Sequence, residues 1–174
     1  MTPRKLIEVY PGFPKQGIDF FDLSPIYRQP NVVRELVSEM CSEILSGEHK
    51  KIDAVVAPDA RGFILGSLLA DRLSCAFVPV RKHGKLPGEL FVASYELEYG
   101  TDKIYMQHDA LKPGSSVVIH DDLLATGGTA RATADLVQQA GSVVLAFSFT
   151  AEIVDLGARA ALAEIAPVSA LIQL

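Results

Sequence analysis

Residues 116–130 read SVVIHDDLLATGGTA, and they concentrate most of the chemistry this chain can offer. An apolar run meets two adjacent acids, Asp121 and Asp122. A short loop of Ala125, Thr126, Gly127, Gly128 and Thr129 then opens a helix. Helix N-termini expose unpaired N–H groups at the positive end of the dipole and so hold anions. Glycine lets a ligand approach the backbone closely, and threonine hydroxyls add donors. Standing alone, the same turn serves equally well as an N-cap. The acids upstream favour a ligand, because a phosphate cradle just beyond two carboxylates suits a phosphorylated sugar. The carboxylates would accept from ribose hydroxyls or help hold Mg2+. Adjacent strand residues point to opposite faces, so the two acids need not share one task. No Gly-Lys-Ser/Thr follows, which excludes a Walker A loop, and the spacing is not GxGxxG.

Two basic segments are further candidates. Arg61 stands with Asp59 and Gly62 after a short apolar run. At a helix start its charge opposes the dipole. It is therefore either a plain surface residue or one whose planar fork meets an anion, with Gly62 allowing close approach. Arg81, Lys82 and Lys85 place three cations in five residues, in a loop shaped by Gly84, Pro87 and Gly88. They form either a solvated face or a second anion site. His120, just before the acids, reads as packing rather than a base, and His49 and His108 carry no readable role.

The elements that must position these residues alternate between β-rich and helical runs. Asn31 to Ser46 has apolar residues at helical spacing, with Gly47 as its stop. Asp53–Ala57 reads as a buried strand, Gly62–Leu73 as a helix and Cys75–Val80 as a strand. Phe91–Glu98 and Lys103–Gln107 read as paired strands around a turn at Gly100, Thr101 and Asp102. Ser116–His120 is a strand, Thr129–Ala140 a helix ending at Gly141, and Val143–Phe149 a strand. From Asp155 onward the chain is apolar and Ala-rich and reads as packing or interface. Strands separated by single helices predict an α/β doubly wound sheet covered on both faces, with ligands beyond the strands' carboxyl ends.

Composition bounds the rest. The 174 residues suit a single domain spanning 1–174, and 49% hydrophobic with 21% charged residues excludes a disordered chain. No apolar stretch approaches the ~20 residues of a membrane span, and the N-terminus does not read as an export signal. Cys41 and Cys75 build no disulfide framework and no metal spacing, so a cytoplasmic setting is expected. A net charge of −5 disfavours nucleic-acid and membrane-surface partners.

With strand, paired acids and TGGT loop together, the sequence resembles the phosphoribosyltransferases, whose motif for 5-phosphoribosyl-1-diphosphate (PRPP) has this form. Within that superfamily it is similar to the adenine branch. GIDFFDLSP at 17–25, DARGFILG at 59–66, RKHGKLPGEL at 81–90, ASYELEYG at 93–100 and QHDALKPG at 107–114 carry the closer match, from about Pro11 to the C-terminus.

The resemblance implies the type I phosphoribosyltransferase fold, with a hood mainly over 1–30 and a β-hairpin lid at about 84–106. It implies the reaction of adenine with PRPP to give AMP and pyrophosphate, Mg2+ as cofactor and a homodimer. Ala125–Thr129 would bind the 5′-phosphate, and Asp121 and Asp122 the ribose. Mg2+ would come mainly with PRPP, with Asp121 or Asp122 as its candidate protein ligand. Asp59, Ala60 and Arg61 would form the pyrophosphate loop, with a non-proline cis peptide near Asp59–Ala60. Arg81, Lys82 and Lys85 would hold the same group.

Glu98 matches the family's acid/base, managing the purine N7 proton while N9 attacks. Tyr99 would help close the lid, with Tyr95 as a weaker candidate. Ile18, Phe20 and Arg61 would surround the base, a carbonyl near Ile18 accepting from the 6-amino group. The family's Phe-Arg-Asp is here Phe20-Phe21-Asp22, which bears on base preference. His83 and His120 are smaller departures. A different purine base, or a PRPP-sensing protein without turnover, are the alternatives; retained Glu98, Arg61 and Lys85 favour an enzyme.

Overall fold

A computed structural model describes residues 2–47, 51–97 and 100–174. Its elements run β1 (Glu8–Pro11), β2 (Asp19–Asp22), α1 (Ser24–Tyr27), α2 (Pro30–Leu45), β3 (Ala54–Pro58), α3 (Gly62–Arg72), β4 (Ala76–Lys82), β5 (Leu90–Leu97) and β6 (Gly100–Gln107). There follow β7 (Ser116–Leu124), α4 (Gly128–Gln139), β8 (Val143–Glu152), α5 (Ala158–Ala163) and β9 (Val168–Gln173). Seven strands form one sheet in the order β5-β6-β4-β3-β7-β8-β9. Strands β4, β3, β7, β8 and β9 are parallel, and β6 and β5 add an antiparallel hairpin at one edge.

The continuous apolar sequence of β3 follows from its place. It lies between β4 and β7, is buried at every residue and so has no polar face. One core, with Val56, Ile119, Phe147 and Phe149, packs against α4; the other, with Val55, Val118 and Leu65, packs against α2 and α3. Helices on both faces of a mainly parallel sheet are the predicted architecture. Among the described residues no helix is long and apolar enough to cross a membrane.

Four features differ from the sequence expectation. β7 runs past His120 through both acids to Leu124, because β8 continues beside it and pairs Asp121 with Phe149 and Leu123 with Ala151. β6 begins earlier than expected, at Gly100, since Thr101 and Asp102 pair with Glu96 and Tyr95 as part of the ladder. The C-terminal segment adds β9, parallel to β8; its mixed burial gives no clean two-residue alternation to read. At the other end β1 and β2 make a separate antiparallel hairpin, pairing Glu8 with Asp22 and Tyr10 with Phe20. Pro11, Gly12, Pro14 and Gly17 between them hid it.

Candidate active site

The loop after β7 turns into α4 through Gly127, which is left-handed at φ 81°. A Cβ there would lie 3.1 Å from the Cβ of Ala158, so both conformation and space demand glycine. The first intrahelical bond runs from the N–H of Arg131 to the Gly127 carbonyl at 2.9 Å. The amides ahead of it are left to a ligand. They face a cavity of about 70 Å³ bounded by residues 123–130, Asp121 and Phe149, a size that suits one phosphoryl group. All five residues expected to grip a phosphate therefore line one small pocket, with Asp121 on its wall.

The acids do not part company as strand alternation would have them. Asp121 lines the small cavity, its Oδ1 accepting from the Asp122 N–H at 2.8 Å and lying 3.0 Å from where a Cβ on Gly62 would stand. Asp122 is 3% exposed, its carboxyl interacts directly with that of Asp121, and its Oδ2 meets Arg61 Nε, next to the same Gly62, at 2.9 Å. Burial holds the Asp121 carboxyl well above the usual range, and the Asp122 charge adds to this. Burial also raises Asp122, and Arg61 pulls it back. His120 is fully buried and pushed down to about 4, which fits packing and not general base chemistry.

Arg61 sits just ahead of α3 and binds more than the sequence indicated. It pairs with Asp122, donates to the Phe21 carbonyl at 3.3 Å and lies over the Phe20 ring at 5.2 Å. Its anion in this structure is a carboxylate of the chain itself. A signal for that partner existed: two acids ending a buried strand need a countercharge. Phe20 also meets Phe13 edge-on at 5.3 Å, whereas Ile18 stands exposed ahead of β2. The Phe21 side chain packs against the α2–α3 core. Asp22 accepts from the Ser24 N–H at 2.9 Å, and the Ser24 hydroxyl first and this N–H second lower its pKa.

The Asp59–Ala60 peptide is cis, where one was expected. The basic residues after β4 are divided. Arg81 Nε bonds Asp59 Oδ2 at 3.3 Å, beside the Phe63 ring. Lys82 Nζ reaches across to Asp102 Oδ2 at 2.8 Å, which also accepts from the Tyr95 hydroxyl at 3.1 Å. That pairing raises Lys82 and lowers Asp102. Tyr95 is raised by burial and by Asp102, and the Thr129 hydroxyl acts on the same phenol, so the turn end of the hairpin lies against the start of α4. Lys85 is exposed. Glu98 and Tyr99 lie outside the described residues.

No cluster of three or more His, Cys, Asp or Glu converges among the described residues. The acid pair cannot cage a cation. It can add a carboxylate to Mg2+ that brings water and phosphate oxygens with it, the usual coordination of that ion.

Comparison with known proteins agrees with this geometry. Residues 23–151 match the phosphoribosyl transferase domain family. The adenine phosphoribosyltransferase of a Synechococcus species is 45% identical over 170 residues, covering 96% of this chain and 95% of that protein. The crystal structure of the Rhodothermus marinus adenine phosphoribosyltransferase superposes with a TM-score of 0.92 at 44% identity, covering 99% of this chain and 97% of that one. The Saccharomyces cerevisiae enzyme, complexed with D-2,5-dideoxy-2,5-imino-altritol 1,6-bisphosphate and adenine, gives 0.90 at 42% identity over 96% of this chain and 94% of its own.

Proposed function

This chain belongs to the phosphoribosyltransferase family, in its adenine phosphoribosyltransferase branch, and from that premise we propose how its own residues carry the reaction. The enzyme is a transferase that moves the phosphoribosyl group of PRPP to adenine, giving AMP and pyrophosphate. One observation carries the residue assignment. The Asp121 carboxylate and the free amides at the start of α4 open onto the same phosphate-sized cavity.

The 5′-phosphate takes the pocket of Ala125–Thr129, held by N–H groups and by the Thr126 and Thr129 hydroxyls. Asp121 and Asp122 accept from the ribose hydroxyls and fix the sugar. The pyrophosphate lies toward Asp59, Ala60 and Arg61 at one strand end and Arg81, Lys82 and Lys85 at the next. Mg2+, carried mainly by PRPP with Asp121 or Asp122 as its protein carboxylate, would supply charge neutralisation on the departing group.

Adenine stacks near Phe20 and Arg61, and a carbonyl close to Ile18 accepts from its 6-amino group. A 6-oxo purine leaves that acceptor unpaired. As the bond from C1′ to pyrophosphate breaks, positive charge develops on the sugar and N9 attacks; Glu98 manages the proton at N7. Closure of the β5–β6 hairpin, which Tyr99 helps, excludes water. The working form is a homodimer in the cytoplasm, and exposed Ile64 and Leu68, one turn apart on α3, offer an apolar stripe for it.

The test is an assay with Mg2+, PRPP and each natural purine base, followed by nucleotide detection. AMP from adenine alone is the expected product; turnover of hypoxanthine or guanine in preference, or of no base, overturns the proposal.

A further inference from the structure

The first residue of α5 forms the floor of the loop into α4. A Cβ built on Gly127 would lie 3.1 Å from the Ala158 Cβ and 3.9 Å from the Ala158 carbonyl oxygen, so the Gly127 backbone rests directly on Ala158. Ala158 is buried in the same core as Leu124, Ala130 and Phe149, all three of which line the small cavity. The place where α5 begins therefore limits how far the backbone of residues 125–129 can sink. It sets where the amides ahead of α4 stand.

Little in α5 itself fixes that place. The helix has six residues, too few to hold on their own, and it is entered through Gly157 at φ 66°. Leu162 buries one side of it, and the residue after Ala158 anchors its start. Arg159 Nε donates to both Glu152 carboxylate oxygens at 3.1 Å, Nη2 donates to Oε2, and Nη1 donates to the Val168 carbonyl. One planar fork thus ties the start of α5 to the last residue of β8 and the first of β9. β8 is joined in turn to the strand that carries the loop, the Ile153 N–H donating to the Leu124 carbonyl at 2.9 Å.

Glu152 is 3% exposed, whereas the Arg159 side chain is 40% exposed. Burying a carboxylate in order to pair it adds little net stability, because desolvation offsets the attraction. What a planar, multiply bonded pair does supply is a defined geometry. Neither residue lines the cavity, so any effect on a ligand passes through Ala158 and Gly127.

We propose that Glu152 and Arg159 are positioning residues for the phosphate loop, their ion pair holding Ala158 under Gly127 so that the amides of residues 126–129 keep the spacing a phosphoryl group needs. The proposal rests on the 5′-phosphate site assigned above.

Replacing both partners together, Glu152→Met with Arg159→Met, removes the pair and leaves no buried charge behind, so the urea midpoint should stay near that of the parent. The dissociation constant of AMP and the Michaelis constant for PRPP should still rise roughly tenfold, the loss expected for one hydrogen bond to a charged group. By contrast, kcat and the Michaelis constant for adenine should change less than about twofold, since only binding of the phosphate is touched. Glu152→Gln keeps the side chain's shape and loses its charge; it should raise the AMP and PRPP constants roughly threefold. Ala158→Gly reaches the same contact from the other side and should also weaken AMP. In that background the double replacement should add less than about twofold, because both act through one contact.

AMP and PRPP constants at parent values in the double variant overturn the proposal, whatever the urea midpoint. A rise shared equally by adenine and PRPP marks a general loosening of the fold and overturns it too, as does full additivity with Ala158→Gly. Gly127→Ala separates the two readings. If it weakens AMP and the double variant does not, the loop holds the phosphate and the pair has no positioning role; if neither changes AMP binding, the phosphate site itself is misplaced and the proposal fails with it.

Discussion

Arg61 Nε lies 2.9 Å from Asp122 Oδ2, tying the start of α3 to the end of β7 across the carboxyl edge of the sheet. The same guanidinium reaches the Phe21 carbonyl and the Phe20 ring, so one side chain joins the β7 acids to the N-terminal hairpin. A change at the proposed base site should thereby be felt at the proposed ribose site.

Arg61→Lys should be far from conservative. A point charge cannot serve a carboxylate, a carbonyl and an aromatic face at once. We expect kcat/KM to fall roughly 10–100-fold, the range for hydrogen bonds to charged groups. Steady-state kinetics with both substrates varied checks this; parent-like values would remove Arg61 from the site.

Gly127→Ala forces a side chain onto a φ of 81° and against Ala158 at 3.1 Å. Strain of this kind costs about 1–2 kcal/mol. The variant should bind AMP at least tenfold more weakly by calorimetry and unfold at lower urea. Parent-like AMP affinity would place the phosphate elsewhere.

Most of the architecture is legible in the sequence because buried parallel strands such as AVVAP and SVVIH carry no polar alternation. The loop into α4 is legible because glycine and threonine after a buried strand mark a helix start, and the structure places Ala125–Thr129 along one small pocket. The Asp122–Arg61 pair is not, since 61 residues separate the partners and only the β3–β7 pairing brings them together. The pairing of His120 with Ser148 is hidden for the same reason: cross-strand neighbours leave no local pattern. β9 escaped because VSALIQ, half-buried along most of its length, has no two-residue rhythm.

His120→Leu should change how stability depends on pH. The buried ring holds a pKa of about 4, below the 6.5 of an exposed histidine, so between these values the unfolded chain binds more protons. Stability from this residue is complete above pH 6.5 and is lost as pH falls through that window, by about 3 kcal/mol in the limit. Asp121 and Asp122, both raised, contribute a slope of opposite sign, so the difference between parent and variant isolates the histidine. Urea unfolding from pH 4 to 7 should show stability gaining about 3 kcal/mol less with rising pH in the variant than in the parent; identical slopes would contradict the burial argument.

Phe21→Arg restores the residue usual in the family. The Phe21 side chain faces the α2–α3 core, and the hairpin's bond to Arg61 uses its carbonyl. Base preference should therefore stay with adenine while stability drops by about 1–2 kcal/mol. Competition between adenine and hypoxanthine, with thermal unfolding alongside, decides it; a switch in preferred base would mean that position 21 governs the pocket.

The most direct measurement is a crystal structure of the protein with AMP. The phosphate should be found against the amides of residues 126–129, with the ribose hydroxyls on Asp121 and Asp122 and the purine beside Phe20 and Arg61. A nucleotide bound with its phosphate in any other crevice, and residues 125–129 free of it, would contradict the account at its root.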